Sequence, residues 1–290
     1  MAFVLLTAAA PLVAQPDYRG EPGVFRHQIQ MQVYHFDNFF QARGDTPEID
    51  VTAAGWEYGA ATRLTETGPD FFGALYVMNY DREGLATSYG GRAGIARYGS
   101  VHSFYGYIDR LQNGWSFDIA EETANANITS LYATYSYRVV RDWQLELTTY
   151  NEWQSFDVEE TGYDGDYNQL EGEVRYRGFG RIFEPRIAYA VGQRDVDNQT
   201  DTYDYRHWAV EVTSRPIPNL DLSLRYRDRT RDYERIDRLE DRGQIQFRAI
   251  LRHSDRLATT AMITHEDVNS SVPGRDFAKR RIFAGFTIGF

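Results

Sequence analysis

Histidines and carboxylates near two predicted strand ends have the residue types and spacing for general acid–base chemistry. His35 and Asp37 are two positions apart, so they share one face where the first predicted strand ends. His265, Glu266 and Asp267 stand at the end of the penultimate predicted strand. A histidine beside a carboxylate can accept and return a proton during hydrolysis. The sequence therefore allows a hydrolytic site at one rim, but such pairs also arise by chance and we expect no enzymatic activity.

Two further groups are weaker candidates for catalysis or metal binding. His102 and Ser103 combine a base and a hydroxyl, but adjacent residues of a strand point to opposite faces. The segment Asp164-Gly165-Asp166 could bind Ca²⁺ through its carboxylates, although the same residues are typical of a plain turn. No histidine cluster has metal-ligand spacing and no glycine-rich phosphate loop is present, so we predict neither a metal nor a cofactor.

Alternating polar and apolar residues predict that these candidates lie on β-strands. In the segment Leu220 to Asp228, three leucines and then Tyr226 occupy every second position, and aspartate, serine or arginine stands between them. The segment Gly243 to Arg252 largely alternates apolar residues with glutamine and arginine. Comparable segments, Leu170 to Phe179 among them, recur about fourteen times, and each is long enough for the roughly 9 to 11 residues of a tilted membrane-crossing strand. We predict an all-β fold, a transmembrane antiparallel up-and-down β-barrel.

The connections between these strands predict the topology. Short turns such as Tyr98 to Ser100 and His253 to Asp255 alternate with longer, acidic loops such as Gln41 to Asp50, Val158 to Tyr167 and Asp267 to Asp276. We interpret the alternation as strict, with short periplasmic turns, long extracellular loops and both termini on the periplasmic side. The segment Gln112 to Ala124 is assigned to a loop, although its Trp115 to Ile119 core could form another strand.

The polar stripe of each strand should face the inside of such a barrel. A closed sheet of about fourteen strands encloses more space than side chains fill, so the inside holds water and charged side chains are tolerated there. We therefore predict a polar, pore-lining set: Gln28, Gln30, Gln32, Glu57, Arg63, Arg92, Glu146, Glu171, Glu173, Arg175, Arg177, Arg186, His207, Glu211, Asp221, Arg225, Arg227, Gln244, Gln246, Arg248 and Arg252.

Composition excludes several other classes of protein. The net charge of −11 argues against a nucleic-acid partner. The absence of cysteine excludes disulfides and thiolate metal sites. Aromatic residues make up 15% of the chain, which is hard to reconcile with disorder and fits the aromatic girdles of a membrane barrel. No apolar run after residue 14 is long enough for a transmembrane helix.

The N-terminal segment has the pattern of a secretory signal peptide. Residues 2–14 form a continuous apolar block that is too short to span a bilayer and ends in small residues. No basic segment precedes this block, which leaves open a start of the signal upstream of Met1. We divide the chain into a signal peptide (1–14), a periplasmic lead (15–23) and a single barrel domain (24–290).

The last ten residues carry a resemblance to a known class. In R-I-F-A-G-F-T-I-G-F one face consists of Ile282, Ala284, Phe286, Ile288 and the terminal Phe290. This strand resembles the C-terminal signal by which the barrel assembly machinery recognises bacterial outer-membrane β-barrel proteins. The strand number, the abundant tyrosine and the acidic loops resemble the monomeric OmpG-type porins. That resemblance implies location in the Gram-negative outer membrane, contact with its lipid, and passive diffusion of small hydrophilic solutes.

Three further functions fit the same sequence pattern. The histidines and aspartates at the rim resemble those of omptin proteases, which however have ten strands and paired aspartates that we do not find here. A barrel plugged by its own side chains or loops could serve as a scaffold or adhesin. A secreted soluble β-protein would show the same alternation of polar and apolar residues along its strands.

Overall fold

The strands close into one barrel. The structure, a computed structural model, describes residues 22–37, 50–82, 85–114, 125–156, 164–197 and 199–290. Fourteen antiparallel strands follow one another in chain order around it, and β1 pairs with β14. The strands are β1 Arg26–Phe36, β2 Val51–Arg63, β3 Asp70–Tyr80, β4 Ser88–Tyr98, β5 His102–Gly114, β6 Ala126–Val140, β7 Trp143–Phe156, β8 Gly165–Tyr176, β9 Glu184–Val196, β10 Tyr203–Ile217, β11 Leu220–Tyr233, β12 Arg238–Ser254, β13 Leu257–Ser270 and β14 Phe277–Gly289. The predicted all-β up-and-down barrel is confirmed.

The two ends of the barrel differ in their connections. The start of β1 and the end of β14 lie at the same end of the barrel, which we call the short-turn end. There, two-residue connections join β6 to β7 and β10 to β11. At the opposite, loop end, the predicted strict alternation is wrong: six residues join β9 to β10 and β13 to β14, as many as join β2 to β3 at the short-turn end, and the connection of β11 to β12 is shorter still. The turn Glu234–Ile236 and Asp237 alone join β11 to β12, and Asp237 adopts the left-handed conformation (φ 48°) that such a tight reversal requires.

Several strands are longer than the sequence pattern indicates. β11 continues past Asp228 to Tyr233, and β12 begins at Arg238 rather than Gly243. β8 begins at Gly165 rather than Leu170 and ends before Phe179. In these extensions polar residues occupy both faces, so hydrophobic alternation no longer marks the strand. The predicted signal peptide, residues 1–14, and the possible strand Trp115 to Ile119 lie outside the described residues.

Alternate residues separate the two faces of the sheet. On β1, Gln28, Gln30 and Gln32 are at most 4% exposed, whereas Met31 and Val33 are 57% and 47% exposed. The buried face of a closed sheet is its inner face, which we call the lumenal face. The exposed face carries a belt of large apolar side chains on every strand, as a surface in contact with hydrocarbon requires. Among the described residues, no helix is long and apolar enough to cross a membrane.

The strand patterns predicted a polar lumenal face, but part of this face is apolar. Near the loop end, side chains from β1, β2, β3, β13 and β14 form an internal apolar cluster: Tyr34, Phe36, Val51, Ala53, Met78, Met262 and Phe283. Tyr34 and Phe283 are almost fully buried, with ring centroids 4.7 Å apart. This cluster packs part of the interior as a soluble protein core would.

Candidate functional site: the lumenal face of the barrel

The structure places the predicted pore-lining side chains on one face. Those on strands all occupy lumenal positions, and Arg177 follows the last residue of β8. The polar stripes were therefore assigned to the correct side of the sheet, while the role of these residues in a pore stays a prediction. Most of them lie on two chemically different surfaces, and Glu146 of β7 lies between the two. We call the lumenal face of β1–β5 the glutamine wall, and that of β8–β12 the arginine wall.

Charged groups of the glutamine wall are buried and compensated. The guanidinium of Arg92 donates a hydrogen bond to Glu57 (2.7 Å), and its Nε lies 3.7 Å from Asp109. Tyr76 donates a hydrogen bond from its hydroxyl to the same Asp109. The three charged side chains are at most 2% exposed. One cation between two carboxylates in such a buried setting is a structural arrangement, because any uncompensated charge would be strongly destabilising.

A glycine lets Tyr76 reach across the next strand. Gly90 on β4 pairs with Tyr76 on β3, and a Cβ at Gly90 would lie 2.5 Å from the tyrosine hydroxyl. With no side chain there, the ring lies over β4 and its hydroxyl reaches Asp109 on β5. The same device recurs on the other side, where Tyr205 lies over Gly192 and donates a hydrogen bond to Gln169 (2.7 Å).

Glutamates and arginines share partners between β8 and β10. Glu173 accepts from Arg175 (3.0 Å) and lies 3.5 Å from Arg186. Arg186 also pairs with Glu211, its register partner on β10. Farther toward the loop end, His207 and Glu171 are 3.0 Å apart. Arg186 joins β9 to both neighbours, and the His207–Glu171 pair crosses β9, which ties β8, β9 and β10 together on the lumenal face.

Arginine is the dominant residue of β11 and β12. Four successive lumenal positions of β11 carry it, and four lumenal positions of β12 add to them: Arg225, Arg227, Arg229, Arg231, Arg238, Arg242, Arg248 and Arg252. The lumenal carboxylates on these two strands are Asp221 and Glu240. The arginine wall therefore presents a strong positive potential to the lumen, although the protein as a whole is acidic.

Tyrosines pack against this wall at the loop end. Arg231 lies over Tyr203 at 4.4 Å and Arg238 over Tyr233 at 3.5 Å, both within cation–π range. The surrounding cluster consists of Tyr150, Tyr167, Tyr203, Tyr205 and Tyr233, with Tyr132 packed against it. Stacked guanidinium groups and aromatic rings therefore cover the lumenal face at the loop end.

Sequence reasoning missed part of the lumenal set. Arg229, Arg231, Arg238, Arg242 and Glu240 lie on the strand extensions that hydrophobic alternation did not mark. Asp109, Glu152, Glu266, Lys279 and Arg281 lie in strands that were identified, but their lumenal facing was not. Counting by two from Tyr107, Gln154, Thr264 or Phe283 would have found them.

Solved structures share this architecture at low sequence identity. A deltaS2S3 mutant of the TodX monoaromatic hydrocarbon channel superposes with a TM-score of 0.56 at 10% identity, over 94% of this chain and 91% of that chain. A deltaS2 mutant of the same channel gives 0.56 at 8% identity, over 93% and 90%. OmpT of Vibrio cholerae gives 0.49 at 11% identity, over 92% and 97%.

The chain has the fold of an outer-membrane β-barrel. No family model and no curated protein matches its sequence. The two TodX structures support the fold alone, and the lumenal chemistry described above is a property of this chain's own residues.

The rim candidates for catalysis lie on the outside of this outer-membrane barrel. His35 and His265 point outward from β1 and β13, with β14 between them. His265 lies 3.2 Å from Asp267, and His35 lies 3.3 Å from the Thr52 hydroxyl. Glu266 was grouped with His265, but it points into the lumen, 3.6 Å from Lys279. The rim residues thus do not converge on the lumen.

The remaining candidate groups have structural roles. His102 is exposed on the outer face, 2.6 Å from the Tyr135 hydroxyl, while Ser103 points inward, so the two cannot act together. Asp164 accepts a hydrogen bond from the backbone of Phe156 (2.7 Å) at the start of β8. Over the described part of the chain, no three acidic or histidine side chains are grouped so as to hold a metal ion.

The C-terminal strand closes the barrel. The backbone of Phe290 exchanges two hydrogen bonds with His27 (3.0 and 2.9 Å), and the two rings stack at 5.8 Å. The side chains of Ile282, Ala284, Phe286 and Ile288 point outward, as their period of two predicts. Recognition of this strand by the assembly machinery stays a prediction.

Proposed function

We propose that this protein is an integral channel of the Gram-negative outer membrane, through which small hydrophilic solutes diffuse passively. The apolar belt of the outer face contacts the lipid, the short-turn end faces the periplasm, and the C-terminal strand is the segment presented to the barrel assembly machinery. The solutes pass between the glutamine wall and the arginine wall.

Unpartnered polar atoms on the lumenal face carry this proposal. Both side-chain amide atoms of Gln30 are buried without a protein hydrogen-bond partner, as are the hydroxyls of Thr260 and Thr264. A buried donor or acceptor left unpaired costs about 1–3 kcal/mol, so a dry interior would strongly disfavour this arrangement. Water in the lumen satisfies these atoms, and a water-filled lumen with charged walls is a path for hydrophilic solutes.

Recording from single barrels tests the proposal. The protein is refolded in detergent and inserted into a planar lipid bilayer in about 1 M KCl, where charges are screened within roughly 3 Å. We expect steady single-channel current steps. Folded barrels that insert, as shown by resistance of the strands to added protease, but pass no current would contradict an open channel.

A plugged barrel that serves as a scaffold or adhesin is the second candidate. Arg231, Tyr203 and Glu240 at the loop end are at most 2% exposed, which favours a lumen that is narrow at that level. The same recording separates the two functions, since a plugged barrel inserts without conducting. If it conducts only after Tyr203→Ala, the cation–π cluster is the plug.

Assembly through the C-terminal strand requires a separate experiment. Phe290→Ala removes the terminal ring and leaves the backbone pairing of β1 with β14 intact. We expect less folded protein in outer membranes of cells, with little change in refolding in vitro. The substitution Phe179→Ala, which removes an exposed aromatic ring at the same end of the barrel, is the matched control. Equal losses for both variants in cells would contradict a specific signal.

A further inference from the structure

A cavity on the arginine wall collects positive charge at the short-turn end. It has a volume of about 480 Å³ and lies between the ends of β8 and β12. Five arginines line it, Arg175, Arg177, Arg186, Arg215 and Arg248, together with the carboxylates of Glu184 and Asp221. A volume of this size is within the range of small-molecule binding sites.

Each carboxylate near the cavity either pairs with more than one guanidinium group or lies too far from its partner for a hydrogen bond. Asp221 accepts one hydrogen bond from Arg252 (2.5 Å) and two from Arg215. Glu184 lies 3.8 Å from Arg177, too far for a hydrogen bond. Glu173, behind the cavity, divides its two oxygens between Arg175 and Arg186, as described above. The carboxylates therefore do not neutralise the cavity, and a surplus of positive charge remains.

Two of the lining arginines have free hydrogen-bonding capacity. The Nε of Arg177 is buried and has no hydrogen-bond partner. Burial lowers the pKa of Arg177 and the neighbouring charge of Arg175 lowers it further, while Glu184 offsets these effects only in part. The side chain of Arg248, which stands opposite Ser223 in the pairing of β11 with β12, forms no hydrogen bond or ion pair within the described part of the chain.

We propose that this cavity is a binding site for a small anion that carries two or more carboxylate or phosphate groups. Guanidinium groups present paired N–H donors that match the oxygens of both groups, and several of them around one cavity favour a multiply charged ligand. The inference rests on the proposed function, because solutes must have access to the lumen. It adds that the channel holds an anionic solute at its periplasmic mouth.

Calorimetric titration of the folded barrel tests this site without requiring conduction. Citrate and tripolyphosphate are titrated separately into the wild-type protein in neutral detergent at low ionic strength. We expect saturable binding of at least one, with citrate alone indicating a carboxylate site and tripolyphosphate alone a phosphate site. Arg177→Gln and Arg248→Gln should each weaken binding about tenfold, since a charged hydrogen bond is lost.

Arg63→Gln is the matched control. Arg63 is also a lumenal arginine at the short-turn end, but it lies on the glutamine wall, where it donates two hydrogen bonds to Asp70 (2.7 and 2.8 Å). This variant should bind the anion as the wild type does. Arg248→Lys keeps the charge without the paired donors, so it should bind more weakly than wild type, and it serves if Arg248→Gln does not fold.

The outcomes separate this inference from the proposed channel. Binding by a barrel that passes no current would support the anion site and contradict the channel. A conducting barrel that binds neither anion would overturn the site and leave the channel. An equal loss of affinity in Arg63→Gln would also overturn the site, because the binding would then reflect the overall charge of the lumen.

Discussion

The two walls of the lumen follow the same alternation along their strands but use charge in opposite ways. On the glutamine wall, Arg63 pairs with Asp70, and Arg92 is held between Glu57 and Asp109. On the arginine wall, guanidinium groups greatly outnumber the lumenal carboxylates of β11 and β12. Charge on the first wall therefore holds strands together, while on the second wall some charges pair between β8, β9 and β10 and the surplus of β11 and β12 projects a field across the lumen.

This difference between the two walls shows that a side chain's position on the lumenal face does not by itself determine what the side chain does. Gln30 and Arg248 are both lumenal, yet the first stands opposite Glu57 and Thr287 in the sheet, and the second lines a cavity with four other arginines and two carboxylates. A cation near the arginine wall is repelled and an anion attracted, so the proposed channel should favour anions over cations. Each prediction below alters one wall and uses the other as its reference.

The largest expected effect is on stability, at the compensated cation of the glutamine wall. Arg92→Leu removes the guanidinium and leaves Glu57 and Asp109 buried without a cation. Removing one partner of a buried ion pair destabilises a protein by roughly 3–5 kcal/mol, and we expect the free energy of unfolding to fall by about that much. Urea unfolding in lipid vesicles, followed by tryptophan fluorescence, measures the change.

Arg225→Leu is the comparison for this experiment. Arg225 stands on the arginine wall and is only partly buried, and its removal relieves repulsion among its arginine neighbours. It should change stability by less than about 1 kcal/mol. If the two variants lose equal stability, the proposed division between structural and field-forming charge does not hold.

The second expected effect is on ion preference. Replacing Arg225, Arg227 and Arg248 together by glutamine removes three positive charges from the arginine wall. A unit charge about 4 Å from an ion in water contributes roughly 1 kcal/mol, so the permeability ratio of chloride to potassium should fall about fivefold or more. Reversal potentials across a bilayer with a salt gradient measure this ratio.

The matching substitution on the other wall should leave the ratio unchanged. Gln28, Gln30 and Gln32 lie on one strand and carry no charge, so replacing all three by alanine alters the width of the lumen and not its field. A similar shift in both triple variants would show that width, rather than the arginine field, determines the preference.

A third, smaller effect concerns the aromatic cluster of the arginine wall. Tyr203→Ala removes the ring under Arg231 and opens space at the loop end. We expect a higher single-channel conductance and a loss of about 1–2 kcal/mol in stability from the lost cation–π contact. Tyr34→Ala, in the internal apolar cluster of the glutamine wall, should destabilise the barrel more and change conductance less, since Tyr34 packs against Phe283.

The sequence predicted the barrel because its outward-facing residues obey a simple rule. The period of two holds wherever the outer face is apolar, as along β1 and β14, and it assigned Gln28 and Ile282 to opposite faces correctly. The rule fails beyond the apolar belt. There Asp228, Thr230 and Asp232 of β11 point outward while arginines point inward, so both faces are polar and the strand leaves no hydrophobic signal.

The sequence also could not predict which side chains contact each other across neighbouring strands. Arg92 meets Glu57 from two strands away, and that contact depends on the register of β2, β3 and β4. A shift of one residue would turn every side chain to the other face. The anion cavity depends in the same way on five strands reaching one level, which no spacing within a single strand reveals.

The smallest expected effect tests whether the glutamine wall is wet. Gln30 is fully buried, and neither polar atom of its side chain has a protein partner. If water satisfies these atoms, Gln30→Leu exchanges hydrated polar surface for apolar surface of similar volume, and stability should change by no more than about 0.5 kcal/mol. If the wall is dry, the same substitution removes an unpaired polar group and should stabilise the barrel by about 1–3 kcal/mol. Urea unfolding distinguishes the two results, with Gln246→Leu near the arginine wall's charges as the reference. A large gain in stability would mean that solutes pass, if at all, along the arginine wall alone.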